Sequence, residues 1–172
     1  QQQEHRLRLC VDCQGALIHQ PGARGTPEQF ISDVLHNRFN RAILERLGVL
    51  GLPDVWLVAG CLFQTVWNLQ AGLPAEASIH DYDVFYFDAH DLSELAETHV
   101  NQRASALFGD LGVPVEVKNQ ARVHLWYEDY FGRPYPALRD AREGIDRFLV
   151  GCTAVGMQPG SAGDGTRGTT VY

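Results

Sequence analysis

Asp81 and Asp83 stand two positions apart in the segment HDYDVFYFD. On an extended chain side chains alternate with a period of two, so both carboxylates point to one side. Two oxygen donors on one strand face outline a divalent-metal clamp. A third acid, Glu116 in VPVEVK, lies on a separate strand-like run that a sheet can bring alongside. Magnesium takes one or two carboxylates together with substrate phosphates, so three acids around a phosphate pocket suit two-metal phosphoryl transfer. Gly60 ends the apolar run VWLVAG, where a strand turns into a helix. Its missing side chain lets a phosphate approach the backbone, and the helix start offers unpaired N–H donors. Arg122, just past the third acid's strand, is a candidate contact for a triphosphate or an acceptor.

Each residue also has a plainer reading. An Asp pair can mark a strand-end turn or a helix cap, and Glu116 can be a surface charge beside Lys118. Gly60 can be only a tight turn. Arg122 can be one half of an ion pair. His124 reads as a partly buried structural histidine. Trp56, Trp67 and Trp126 read as core residues, with base stacking as the alternative.

The elements that must position these residues follow from hydrophobic period and punctuation. Thr26 as N-cap, Pro27 at the first helical position and Gln29 where a capping box wants it predict a helix running to about Leu47. Gly48, Gly51 and Pro53 then lead into a strand over Val55 to Ala59, and a helix runs from Gly60 to about Gly72. The strand DYDVFYFD puts Asp81, Asp83, Phe85 and Phe87 on one face and Tyr82, Val84, Tyr86 and Asp88 on the other. Both faces are bulky, which places this strand inside a sheet. Further on come a helix over Asp91 to Leu111 and a strand over Val113 to Lys118, in which Glu116 faces away from Val115 and Val117. Helices are expected over Asn119 to Tyr130 and Arg139 to Phe148, then a strand over Thr153 to Met157. GSAGDGTRG reads as a turn and TTVY as a returning hairpin strand. The alternation implies an α/β layered domain with a small mixed sheet. Residues 1–25 are not placed by any such signal. Ending on strand residues suggests a domain over 26–172 that is cut short at its C-terminal end.

The 172 residues suit one buried core, and 45% hydrophobic with 20% charged residues is an ordinary globular composition. A formal charge of −7 argues against broad binding to nucleic acid, which needs clustered Lys and Arg. No apolar run is long enough to suggest a membrane span and the polar start lacks a signal peptide's core, so a cytoplasmic protein is expected. Four cysteines do not make a disulfide framework, and Cys10 and Cys13 lack the second pair that a zinc site needs.

The apolar strand, Gly60-Cys61, a helix, DYDV on the next strand and an acid on a third together resemble the DNA polymerase beta-type nucleotidyltransferase superfamily. Within it, AGCLFQTVWN, DYDVFYFD, VEVKNQARVHLWY and TAVGM are similar to a mostly bacterial family of nucleotidyltransferase-like proteins with no established acceptor. The resemblance spans about residues 28–172. It implies a minimal nucleotidyltransferase fold, a short mixed sheet with helices against one face and the active site along the strand edges. By that resemblance Asp81 and Asp83 are the paired metal ligands, and Glu116 is the third acid that helps to deprotonate the acceptor hydroxyl. Gly60 and Cys61 form the turn that holds nucleotide phosphates. The superfamily usually has Gly or Ser where Cys61 stands, so a hydroxyl contact would be lost while backbone donors remain. The gap between Gly60 and Asp81 is also longer than usual.

The expected activity is transfer of a nucleoside monophosphate from an NTP to a hydroxyl acceptor, with Mg2+ or Mn2+ as cofactor and pyrophosphate released. Two alternatives stay open. One is a catalytically degenerate protein of the same fold that binds a nucleotide or a partner, and the other is a metal-dependent phosphohydrolase.

Overall fold

The computed structural model describes residues 26–159 and 170–172. The expectations for residues 1–25, including the Cys10/Cys13 pair, and for the turn at 160–168 lie outside the described residues. Helices α1 (Pro27–Val34) and α2 (Arg38–Leu47) lead into β1 (Trp56–Val58), α3 (Gly60–Gln70) and β2 (Tyr82–Tyr86). After them come α4 (Glu94–Phe108), β3 (Val115–Asn119), α5 (Val123–Phe131), α6 (Ala141–Asp146), β4 (Gly156–Gln158) and β5 (Thr170–Val171). The five strands lie in the order β3-β2-β1-β4-β5, with β2 and β3 parallel and the other neighbours antiparallel. This is the expected small mixed sheet with β2 in its interior.

The segment expected as one helix to Leu47 is two. Thr26 caps α1 by accepting the Gln29 N–H at 3.2 Å, but the Gln29 amide turns to Asp33 at 2.8 Å and leaves the capping box half-made. The chain then breaks at Asn37, whose side-chain oxygen accepts the Phe39 and Asn40 N–H groups and starts α2. The Asn37 amide donates to Thr65 Oγ1 at 3.1 Å and to the Tyr82 hydroxyl at 3.2 Å, inside the core. Asn40 donates to the carbonyls of Val34 and Cys61. Long-range partners decide this break, since buried amides must be hydrogen-bonded. Two C-terminal elements are shorter than expected. Arg139 to Phe148 contributes only α6, and Thr153 belongs to a 3-10 turn before β4.

Alternation along β2 builds two cores. Tyr82, Val84 and Tyr86 face Leu57, Val117, Ile43, Leu62 and Phe108 under α1 to α4. On the opposite face Phe85 and Phe87 meet Trp56, Val58 and the α6 residues Ala141 and Ile145. Each such side chain contributes about 1.5–3 kcal/mol when fully buried. Helices therefore cover both sheet faces, and among the described residues α6 is the helix that packs into the second core. Gly156 lets it sit close, because a Cβ there would lie 2.7 Å from Ile145 Cδ1. The cover stops short of β3, whose Glu116 and Lys118 stay exposed.

Candidate active site at the β1, β2 and β3 strands

The open part of the second face carries the acids. Asp83 and Glu116 are register partners across the parallel β2–β3 pair, so their side chains emerge side by side on one face. Asp81 lies one residue before β2 and is exposed, whereas Asp83 is half-buried. Burial, then the Asp81 carboxylate, pushes the Asp83 carboxyl above its ordinary range; Glu116 pushes the same way and Lys118 opposes it. Both other acids therefore act on Asp83. Lys118 offsets part of that charge through an ion pair with Glu116 at 3.0 Å, both side chains more than half exposed. Among the described residues, no three His, Cys, Asp or Glu side chains are grouped closely enough to hold a metal ion as they stand. Three carboxylates caging a cation by themselves is thus not what the chain presents. It presents Asp83 and Glu116 abreast, Asp81 at the strand's entry and a lysine beside them.

The corner after β1 adjoins this face. Val58 pairs with Asp83, so the next two residues, Ala59 and Gly60, leave β1 next to the end of β2 that carries Asp83, with Glu116 one strand further away. Ala59, not Gly60, holds the unusual backbone, with φ 56° and ψ −120°. Its N–H donates to the Val155 carbonyl at 3.0 Å, and its carbonyl accepts from Leu62 and Phe63. These bonds hold a conformation that non-glycine residues adopt at a cost of about 1–3 kcal/mol. The first N–H groups of α3, on Gly60 and Cys61, have no partner within the helix. A Cβ on Gly60 would meet nothing within 4 Å, so there is space over Gly60 itself, whereas Cys61 is buried.

The Cys61 side chain turns away from this opening. It is 1% exposed, and its thiol donates to the Val58 carbonyl at 3.5 Å. Burial, then Asp83, pushes the thiol well above its ordinary pKa, which makes it an inert core residue. Arg122, expected to contact substrate, is committed elsewhere. Its guanidinium pairs with Glu97 and donates to the Leu92 carbonyl at 2.9 Å, with its side chain only 11% exposed. Glu97 in turn accepts the Asn119 N–H at 2.7 Å, so Arg122 ties α4 to the end of β3. The ion-pair reading of Arg122 is the one the geometry supports. His124 is half-buried on α5, Trp56 is buried and Trp67 packs on Phe63 at 4.7 Å between ring centroids. Trp126 departs from the expected core role and is 40% exposed.

Three contributors escaped the sequence reading. The strain at Ala59 had no residue-level signal, since alanine rarely adopts positive φ. Lys118 did carry one, its two-residue spacing from Glu116 on a strand. Asn119 clasps Asp88 through both of that residue's backbone groups, at 3.0 and 2.8 Å, and holds the ends of β2 and β3 together.

A mixed sheet with an acid-bearing parallel pair beside a strand-to-helix corner is the architecture of a nucleotidyltransferase head domain. A solved structure with that architecture, an NMR structure described as revealing a CCA-adding enzyme head domain, superposes with a TM-score of 0.65 at 23% identity. The match covers 86% of this chain and 71% of that one and bears on the fold alone. The model of a nucleotidyltransferase family matches residues 45–166, and the chain belongs to that family. No curated protein sequence matches it. Among the described residues no helix is long and apolar enough to cross a membrane.

Proposed function

We propose that this chain is a magnesium-dependent nucleotidyltransferase that moves a nucleoside monophosphate from an NTP to a hydroxyl acceptor and releases pyrophosphate. The observation that carries the reading is the in-register pair of Asp83 and Glu116 beside the open Gly60 corner. The donor set suits magnesium, which needs only one or two carboxylates plus phosphate oxygens, and the mutual repulsion acting on Asp83 is what a cation would relieve. Asp81 and Asp83 would hold the metal, with Glu116 as the third oxygen donor; manganese can replace magnesium. When bound, the ion supplies charge neutralisation to the triphosphate.

The chain's own groups do the rest. The Gly60 and Cys61 N–H donors at the start of α3 receive a phosphate oxygen, aided by the helix dipole. Glu116 accepts the proton of the acceptor hydroxyl, whose oxygen attacks the α-phosphorus as the bond to pyrophosphate breaks. Catalysis rests on positioning and charge compensation, since Asp83 and Glu116 are fixed to neighbouring strands and need little reorganisation.

Two observations favour a second reading, a degenerate nucleotide binder: Lys118 already pairs with Glu116, and the Cys61 side chain is buried away from the corner. Calorimetric titration of ATP with magnesium, followed by a pyrophosphate-release assay with and without candidate acceptors, separates the two. Binding with pyrophosphate release that Asp83→Asn abolishes supports the transferase. Binding without any release identifies the degenerate protein, and release of inorganic phosphate alone identifies a phosphohydrolase.

A further inference from the structure

Along the outer edge of β3 a groove of about 400 Å³ opens between α4 and α5, with Glu116, Lys118, Val123 and Trp126 among its walls. Its other polar groups are already occupied. Asn101 takes the Val117 N–H at 3.0 Å and gives to the Val117 carbonyl at 2.8 Å. Glu97 is held by Asn119 and Arg122, and the Asn119 amide by Asp88. What stays open is the Glu116–Lys118 pair and the 40% exposed indole of Trp126, which has ring contacts with Tyr127, Tyr130 and Phe131 and, among the described residues, no hydrogen bond. The walls include Glu116 but neither aspartate nor Gly60. A molecule seated here therefore meets the proposed proton acceptor and stays clear of the phosphate corner.

We propose that this groove is the acceptor subsite and takes a small polyhydroxylated ring, a sugar or amino sugar, lying against Trp126 with hydroxyls on Glu116 and Lys118. The assignment as acceptor rests on the nucleotidyltransferase reading; the binding itself does not. Ligand pockets commonly measure about 300–1,000 Å³, and a groove of about 400 Å³ has room for a single substituted ring. A carboxylate and an ammonium 3.0 Å apart set a hydrogen-bond acceptor next to a donor, which matches neighbouring hydroxyls. The indole supplies a flat apolar wall for the ring's C–H face. A nucleic-acid strand is a poor fit, because α5 carries Glu128 and Asp129 and no Lys or Arg. A peptide cannot extend the sheet at this edge either, because the Val117 N–H and C=O and the Asn119 N–H are already satisfied by α4 side chains.

The test is an NMR titration of the isotope-labelled full chain with methyl glucoside and with glucosamine, reading the Trp126 indole N–H and the backbone amides of Glu116 and Lys118. The expected result is a saturable shift of all three. Trp126→Ala should weaken the affinity about tenfold, the loss of one aromatic stacking contact, and Trp126→Phe should keep most of it. The unperturbed remainder of each spectrum shows that the variants fold. The proposal is overturned if neither sugar gives a saturable shift, if Trp126→Ala binds equally well, or if oligoadenylate or a peptide shifts these signals in the sugars' place. ATP with magnesium is titrated into the same samples. Sugar binding without ATP binding faults the nucleotidyltransferase reading and leaves the subsite standing; ATP binding without sugar binding faults the subsite alone.

Discussion

Gly60→Ala separates the stability of the strand-to-helix corner from its proposed task, because the two effects have opposite signs. Gly60 is the first residue of α3, its φ is not positive, and a Cβ would meet nothing within 4 Å. Replacing glycine by alanine at such a place restricts the unfolded chain and favours the helix, worth about 0.5–1 kcal/mol of added stability. For a chain of this size the melting temperature should rise by about 1–4 °C. The same Cβ would stand in the opening through which a phosphate reaches the Gly60 and Cys61 N–H groups. Losing one charge-assisted hydrogen bond there costs about 1.5–3 kcal/mol, a roughly 10- to 100-fold weaker affinity for ATP with magnesium. Thermal melts and calorimetry on the same samples read both quantities. Raised stability with unchanged ATP affinity would show that phosphate does not use this corner. Lowered stability would show that the space over Gly60 is not open.

Asp83→Asn should abolish pyrophosphate release without unfolding the chain. Because burial, Asp81 and Glu116 hold the Asp83 carboxyl above 3.8, the folded state binds its proton more tightly than the unfolded chain does. Its contribution to stability is therefore largest below that value and is lost as pH rises through the folded pKa. The variant should match or exceed the wild type at neutral pH and lose that advantage in acid, as urea melts at both pH values would read; an advantage that grows in acid contradicts the electrostatic account. Arg122→Met leaves the half-buried Glu97 without its cation and should destabilise by about 3–5 kcal/mol in urea melts while leaving ATP affinity unchanged in the folded fraction. Gly156→Ala should cost about 1–3 kcal/mol by pushing Ile145 off the sheet, read as a lower urea midpoint.

Much of the fold was legible because the local signals agree with one another. The apolar run before Gly60 and the alternation in DYDVFYFD each specify an element that the structure contains. The break at Asn37 was not legible, since its cause is Thr65 and Tyr82, distant in the chain. The period of two put Asp83 on the face away from Tyr82 and Val84, and Glu116 opposite Val117. No pattern within either strand could set their register or their parallel direction.

Residue order alone determined the strands, most of the helices, the face each acid occupies and the glycine at the corner, because these depend on neighbours within a few positions. Tertiary structure alone decided that Asp83 lies beside Glu116, that Arg122 is consumed by Glu97, that Cys61 turns inward and that Trp126 stays in the open. The reason is that pairing, burial and charge compensation are settled between segments far apart in the chain, by which polar groups find partners when the cores close.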